Sequence, residues 1–238
     1  MRKSLGLIIV GGALIVAAML PAPTDGVPPN GSIVGTITAS GAKSAAPLKA
    51  DTDVEYCGEE IPSEAVVATA KGRVRYAVVS LEGATSPSQP ATDRLRVENQ
   101  KCAFAPHVQT GTVGSTLNAF NQDGVLHNVR LYSKMGSKRR SLINLALPAK
   151  AGPVDASRAT RRAGTIEVTC DAHTWMSAYI VLFDHPYHAV TDAQGSFSID
   201  NVPPGTYPLK VWHESLGELA TEVVVEPGKP TTVALQFN

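Results

Sequence analysis

The seven residues Cys170-Asp-Ala-His173-Thr-Trp-Met176 place a thiolate, an imidazole and a thioether within one short stretch. Soft sulfur ligands joined to imidazole favour copper over magnesium, calcium or manganese, and a weak axial Met beside two His and one Cys marks electron-transfer copper. A four-ligand site needs one more histidine. The candidate is His127 in Asn121-Gln-Asp-Gly-Val-Leu-His127-Asn-Val-Arg130, where turn residues lead into a strand pattern. The cysteine count points to the same place. Cys57, Cys102 and Cys170 make an odd number for an oxidising compartment, where thiols pair or are protected. A metal holds a cysteine as thiolate and keeps it from pairing.

The elements that must position these residues read as strands. The segments 33–38, 76–81, 165–169, 179–183, 207–212 and 221–225 are short, β-branched and bounded by Gly, Pro, Asn and Asp. No segment carries a long helical period, so the expectation is an all-β sandwich or barrel. Residues 133–162 are rich in Lys, Arg, Ala and Ser and weak in strand pattern, and are expected to be a long surface excursion. The cluster Lys134, Lys138, Arg139, Arg140 within it is either a docking site for an acidic redox partner or a solvated loop.

With 238 residues at 43% hydrophobic composition, the chain can bury a sizeable core. Lys+Arg and Asp+Glu balance at 21 each, which gives no field to draw it to nucleic acid or to an anionic membrane. Met1-Arg2-Lys3-Ser4, the uncharged run to Leu20 and Pro21-Ala22-Pro23 have the layout of a secretory signal peptide over residues 1–22, ending after Ala18 or Ala22. An uncleaved N-terminal anchor is the alternative, and the only route to a membrane. Either reading places the body outside the cytoplasm, in the periplasm or cell envelope. Residues 23–30, with Pro28-Pro29-Asn30, read as a linker.

The run from Phe104-Ala-Pro106 through Gly114, Asn121 and Asp123 to His127-Asn128-Val129, followed by Cys-x2-His-x2-Met, resembles the cupredoxins, or small blue copper proteins, with a short ligand loop like that of amicyanin. The resemblance covers roughly residues 100–183. It implies a Greek-key β-sandwich holding one type 1-like copper ion, with His127, Cys170 and His173 equatorial and Met176 axial. If Cys170 binds metal, Cys57 and Cys102 remain to form one disulfide that closes a loop, at about 3–4 kcal/mol of stabilisation. Trp175 and the edge of His173 are then expected to line the partner-facing surface. His107, directly after Pro106, departs from the family pattern and is open to three readings: an additional or alternative ligand, a group behind the ligands, or a structural histidine. His185, His188 and His213 lack tight ligand spacing.

The C-terminal Thr191-Asp-Ala-Gln-Gly195-Ser-Phe197 and Pro203-Pro-Gly205-Thr-Tyr207 resemble the carboxypeptidase regulatory-like, or transthyretin-like, β-sandwich, with glycines expected to supply positive φ in the turns. Gly31-Ser-Ile-Val-Gly-Thr-Ile37 resembles that domain's opening strand, so the copper unit is either inserted into the second sandwich or shares strands with it. The expected division is a copper domain with N-terminal strands over 31–183 and the smaller sandwich over 184–238. No His begins a His-x-x-Glu pair, and Gly-x-Ser-x-Gly, Walker-type and Gly-x-Gly-x-x-Gly motifs are missing from the sequence. The expectation is a non-enzymatic electron carrier cycling Cu(I)/Cu(II) with an unnamed redox protein. A copper-handling or delivery protein of the envelope, and a structural or adhesive protein with a stabilising metal, are the alternatives.

Overall fold

The computed structural model describes residues 29–85 and 93–238, so the expected leader over 1–22 and most of the linker lie outside the described residues. The chain begins with β1 (Gly31–Ala39), then a two-residue ribbon of β2 (Leu48–Lys49) and β3 (Glu60–Ile61) around one helical turn, α1 (Val54–Cys57), and then β4 (Val78–Leu81). There follow β5 (Arg94–Gln100), β6 (Ala103–Ala105), β7 (Val108–Thr112), β8 (Thr116–Asn121), β9 (His127–Met135), β10 (Lys138–Leu147), β11 (Val154–Asp155), β12 (Gly164–Thr169) and β13 (Ser177–Phe183). The chain ends with β14 (His188–Val190), β15 (Ser196–Val202), β16 (Gly205–His213), β17 (Gly217–Val225) and β18 (Pro230–Phe237). All six expected strands lie in or overlap these elements.

Alternating apolar positions explain the layers, because successive strand residues face opposite sides. In the first sandwich the sheet β10-β9-β12-β13-β7 packs on β11-β8-β5-β6. Val129 and Leu131, Ile166 and Val168, and Ile180 and Leu182 from one sheet share a core with Leu95, Val97, Leu117 and Ala119 from the other. The second sandwich packs β15-β1-β18 on β14-β4-β16-β17. Its core joins Ile33, Ile37, Phe197 and Ile199 to Val79, Leu81, Leu209 and Val211. Burying a side chain of this size contributes about 1.5–3 kcal/mol, so each core can hold its sandwich together. Tyr76 and Val78, on the outer side of the second sandwich, meet Val108, Tyr179 and Val181 of the first.

Strand pairing cuts across the division expected at residue 183. β1 pairs with β15 and β18, and β4 with β14 and β16, so both N-terminal strands belong to the second sandwich. The chain leaves that sandwich after Leu81 and rejoins it at His188, which pairs with Ser80. The local pattern of a strand gives its buried face, whereas its sheet is set by partners more than a hundred residues away.

A second correction concerns residues 133–162. Instead of an excursion, β9 and β10 form a long hairpin in which Lys138 pairs with Met135 and Leu147 with His127. Lys138, Arg139 and Arg140 lie exposed at the turn end of an edge strand, where charge guards against pairing with other chains. That protective charge hid the strand. Gly195 takes φ +68° as its turn requires, but Gly205 is not among the positive-φ glycines. It opens β16 where an added Cβ would come within 3.1 Å of the Tyr207 hydroxyl.

Candidate metal centre

Asn121 ends β8, and its carboxamide organises the loop that follows. Nδ2 donates to the carbonyls of Val125 at 2.8 Å, Leu147 at 3.0 Å and Pro148 at 2.8 Å, while Oδ1 accepts from the Asp123 amide at 2.9 Å. Held in this way, the Asp123 carboxylate accepts from the amides of Lys101 at 2.7 Å and Cys102 at 2.9 Å, and from His127 Nε2 at 3.0 Å. A carboxylate only accepts, so His127 carries its proton on Nε2 and presents the bare Nδ1 to the other side.

On that side lies Cys170, directly after β12. The turn from Cys170 back into β13 is closed by the Met176 amide donating to the His173 carbonyl at 3.0 Å, and by the pairing of Thr169 with Ser177. His173 repeats the logic of His127: its Nε2 lies 3.0 Å from Asp53 Oδ2, so its Nδ1 faces the sulfur. Cys170 Sγ is 3.9 Å from His127 Nδ1 and 3.7 Å from His173 Nδ1. The Asn128 amide also donates to Cys170 Sγ at 3.3 Å. His127 and His173 have no exposed surface, and Cys170 keeps 4%.

These distances fit one ion. A sulfur at about 2.3 Å and a nitrogen at about 2.1 Å from a metal, spread trigonally, stand about 3.8 Å apart. The three ligand atoms lie within 4.8 Å of one another, and a soft sulfur with two imidazoles suits copper. Met176 is buried in the same core as Cys170, with 2% exposure, at the end of the 170–176 turn. Burial, together with the neighbouring His173, pushes the His127 pKa below its ordinary value despite the opposing Asp123, which favours the neutral imidazole that a metal needs.

His107 does not join this cluster. Its Nδ1 lies 3.1 Å from the Ser177 carbonyl and its Nε2 is bonded to the Glu214 carboxylate, so both ring nitrogens are taken. It ties the start of β13 to the second sandwich. His185 and His188 lie beside Phe183, and His213 beside Phe237. Among the described residues none of the three enters a candidate metal cluster. The Cys57–Cys102 disulfide is present and links α1 to the turn before β6.

The expected partner surface is also revised. His173 is covered by the segment bearing Asp53 and presents no edge. Trp175 is half-buried, edge-to-face with His173 at 5.0 Å between ring centroids, and its Nε1 donates to the Cys102 carbonyl at 3.0 Å. Asp53 carried no sequence signal, since it is one acid of several in an acidic run. Asp123 stood in the cupredoxin-like motif, but its carboxylate's role needed the fold.

Residues 163–238 match the model of the carboxypeptidase regulatory-like domain, a match that begins at β12 inside the first sandwich. No curated protein matches the chain. Among solved structures, a copper-containing nitrite reductase (NirK) from Thermus scotoductus SA-01 is 18% identical with a TM-score of 0.32 over 43% of this chain, which spans only 24% of that protein. A purple cupredoxin from Nitrosopumilus maritimus is 18% identical at 0.32, over 37% of this chain and 99% of that one. Amicyanin from Paracoccus versutus is 15% identical at 0.31, over 44% and 97%. By its strand order and its two cores the protein is nearly all-β, built of two β-sandwiches, and its stretch 163–238 is similar to the carboxypeptidase regulatory-like domain.

Proposed function

We propose that this chain is an exported protein of the periplasm or cell envelope that binds one type 1-like copper ion through His127, Cys170, His173 and Met176 and carries electrons to or from a redox protein. The observation that carries this reading is the convergence of two bare Nδ1 atoms on the one free thiol, each imidazole held from behind by a carboxylate. Copper bound there would supply a Cu(I)/Cu(II) couple with electronic access through the thiolate.

The chain's own groups prepare for that use. Asp123 and Asp53 fix the tautomer and the ring plane of each histidine. The Asn128 amide, donating to Cys170 Sγ, stabilises negative charge on the sulfur. Packing of Cys170 and Met176 into the first core keeps water out and limits rearrangement between oxidation states. Four protein donors leave no open place for a substrate, which is why the reading is a carrier and not an enzyme.

Voltammetry of the copper-loaded protein tests this reading. A carrier cycles reversibly and retains its copper in both states. Loss of copper to an acceptor upon reduction points instead to delivery, and a metal that affects only unfolding points to a structural role.

A further inference from the structure

The segment from β2 to β3 lies over the face of His173 that the sequence reading left for a partner, so a partner arriving at that end meets α1. None of the residues of α1 is buried. Val54 and Tyr56 are 37% and 48% exposed, and Leu126, next to His127, is 50% exposed. Tyr56 lies against the 122–126 loop: a Cβ on Gly124 would come within 3.0 Å of its ring, and its hydroxyl is 3.5 Å from Asp123 Oδ1. Tyr56 therefore joins helix and loop, and the surface of these two touching segments carries three large exposed apolar groups, which mark interaction sites more often when near one another than when scattered.

The rim of that face is acidic. Between residues 48 and 61 stand Asp51, Asp53, Glu55, Glu59 and Glu60 against one base, Lys49, with Lys101 beyond the disulfide. Among the described residues none of these acids pairs with a Lys or Arg, and Asp53 accepts from His173 Nε2. The basic hairpin at the other end of β9 is partly neutralised, Lys134 and Arg139 by Glu167. A chain with balanced overall charge thus concentrates unpaired negative charge around an apolar centre above the candidate metal site.

We propose that Val54, Tyr56 and Leu126, ringed by Asp51, Glu55, Glu59 and Glu60, form the docking surface for a redox protein whose own contact patch is apolar with a basic rim. The proposal rests on the electron-carrier reading. Its connection to the site is short: Val54 follows Asp53, whose Oδ2 is 3.0 Å from His173 Nε2, and His173 Nδ1 is 3.7 Å from Cys170 Sγ.

The test uses the full chain and zinc-substituted cytochrome c as a basic, redox-inert probe. Titration followed by NMR is expected to shift the amides of 51–60 and 124–126, with binding that weakens as salt rises. The triple variant Glu55→Gln/Glu59→Gln/Glu60→Gln is expected to bind at least tenfold more weakly. Tyr56→Ser, which keeps every charge, is expected to bind several-fold more weakly, separating a docking face from mere attraction of opposite charges. Shifts centred on the 134–140 hairpin, or affinity unchanged in these variants, overturn the proposal. Electron exchange with native cytochrome c then separates the two readings. Binding at α1 without exchange leaves the surface standing and removes the carrier, whereas exchange at a rate the α1 variants leave unchanged does the reverse.

Discussion

Asp53 Oδ2 and His173 Nε2 lie 3.0 Å apart across 120 residues of sequence, so a carboxylate from the segment between the first strands of the second sandwich fixes an imidazole of the candidate metal centre in the first. The arrangement ties the N-terminal part of the chain to the site. It also explains why His173 is buried.

Asp53→Ala is therefore expected to loosen the site more than the fold. The Asp53 side chain is 42% exposed and water can replace it as acceptor, so its hydrogen bond to His173 adds little to stability, about 1 kcal/mol. Removing it frees His173 Nε2 and opens a path to the metal, and losing an orienting partner of a metal-bound histidine typically costs 10–100-fold in affinity. Removal of Cu(I) by a soft chelator, followed by stopped-flow absorbance, is expected to run at least tenfold faster in the variant, with an almost unchanged Tm.

Asn121→Ala should act on both fold and site. Its side chain is buried and satisfies three carbonyls together with the Asp123 amide. Leaving these groups unmet is expected to cost about 3 kcal/mol in chemical denaturation. Because Asp123 loses its anchor, copper affinity measured on the folded fraction should fall as well.

Replacing both Cys57 and Cys102 by Ser removes a cross-link spanning 45 residues. Loop entropy puts the loss at about 4 kcal/mol, read in the denaturation midpoint. The same variant should give up copper to a chelator faster, since α1 is tied down through Cys57.

The fold should weaken in mild acid through groups away from the metal. Burial, with His185 nearby and only partial compensation from Asp93, pushes the His188 pKa down to about 4, and among the described residues neither of its ring nitrogens finds a hydrogen-bond partner. Burial also lowers the His185 and His213 pKa values. A folded-state pKa below the unfolded value near 6.5 means that the unfolded chain binds the proton first. Stability is then complete above about pH 6.5 and falls progressively between about pH 6.5 and 4, with His188 contributing up to about 3 kcal/mol. Urea denaturation of metal-free protein at pH 7 and pH 5 checks this, and His188→Phe, which keeps the stacking on Phe183, should flatten the slope.

What the sequence made legible was local. Cys170, His173 and Met176 sit in one turn between paired strands, so their spacing survives as geometry, and His127 follows a turn signal at the start of a strand. Cys57 and Cys102 pair as the odd-cysteine argument expected. The rest depended on distant partners. The insertion of the first sandwich between β4 and β14 is written in the Ser80 to His188 pairing, which no window of sequence displays. The β9–β10 hairpin was masked by its own edge charges, and Asp53 over His173 by the absence of any pattern in an acidic loop. His107 takes the last of its three readings, a structural histidine whose two partners, Ser177 and Glu214, no window around the ligand motif displays.

The central claim is that Cys170 meets His127 and His173 on one copper ion, and the visible absorption spectrum of the protein loaded with one equivalent of Cu(II) tests it most directly. The account predicts an intense thiolate-to-copper band that saturates at one copper per chain and disappears in Cys170→Ser. A spectrum without that band, or copper bound equally well by Cys170→Ser, would contradict it.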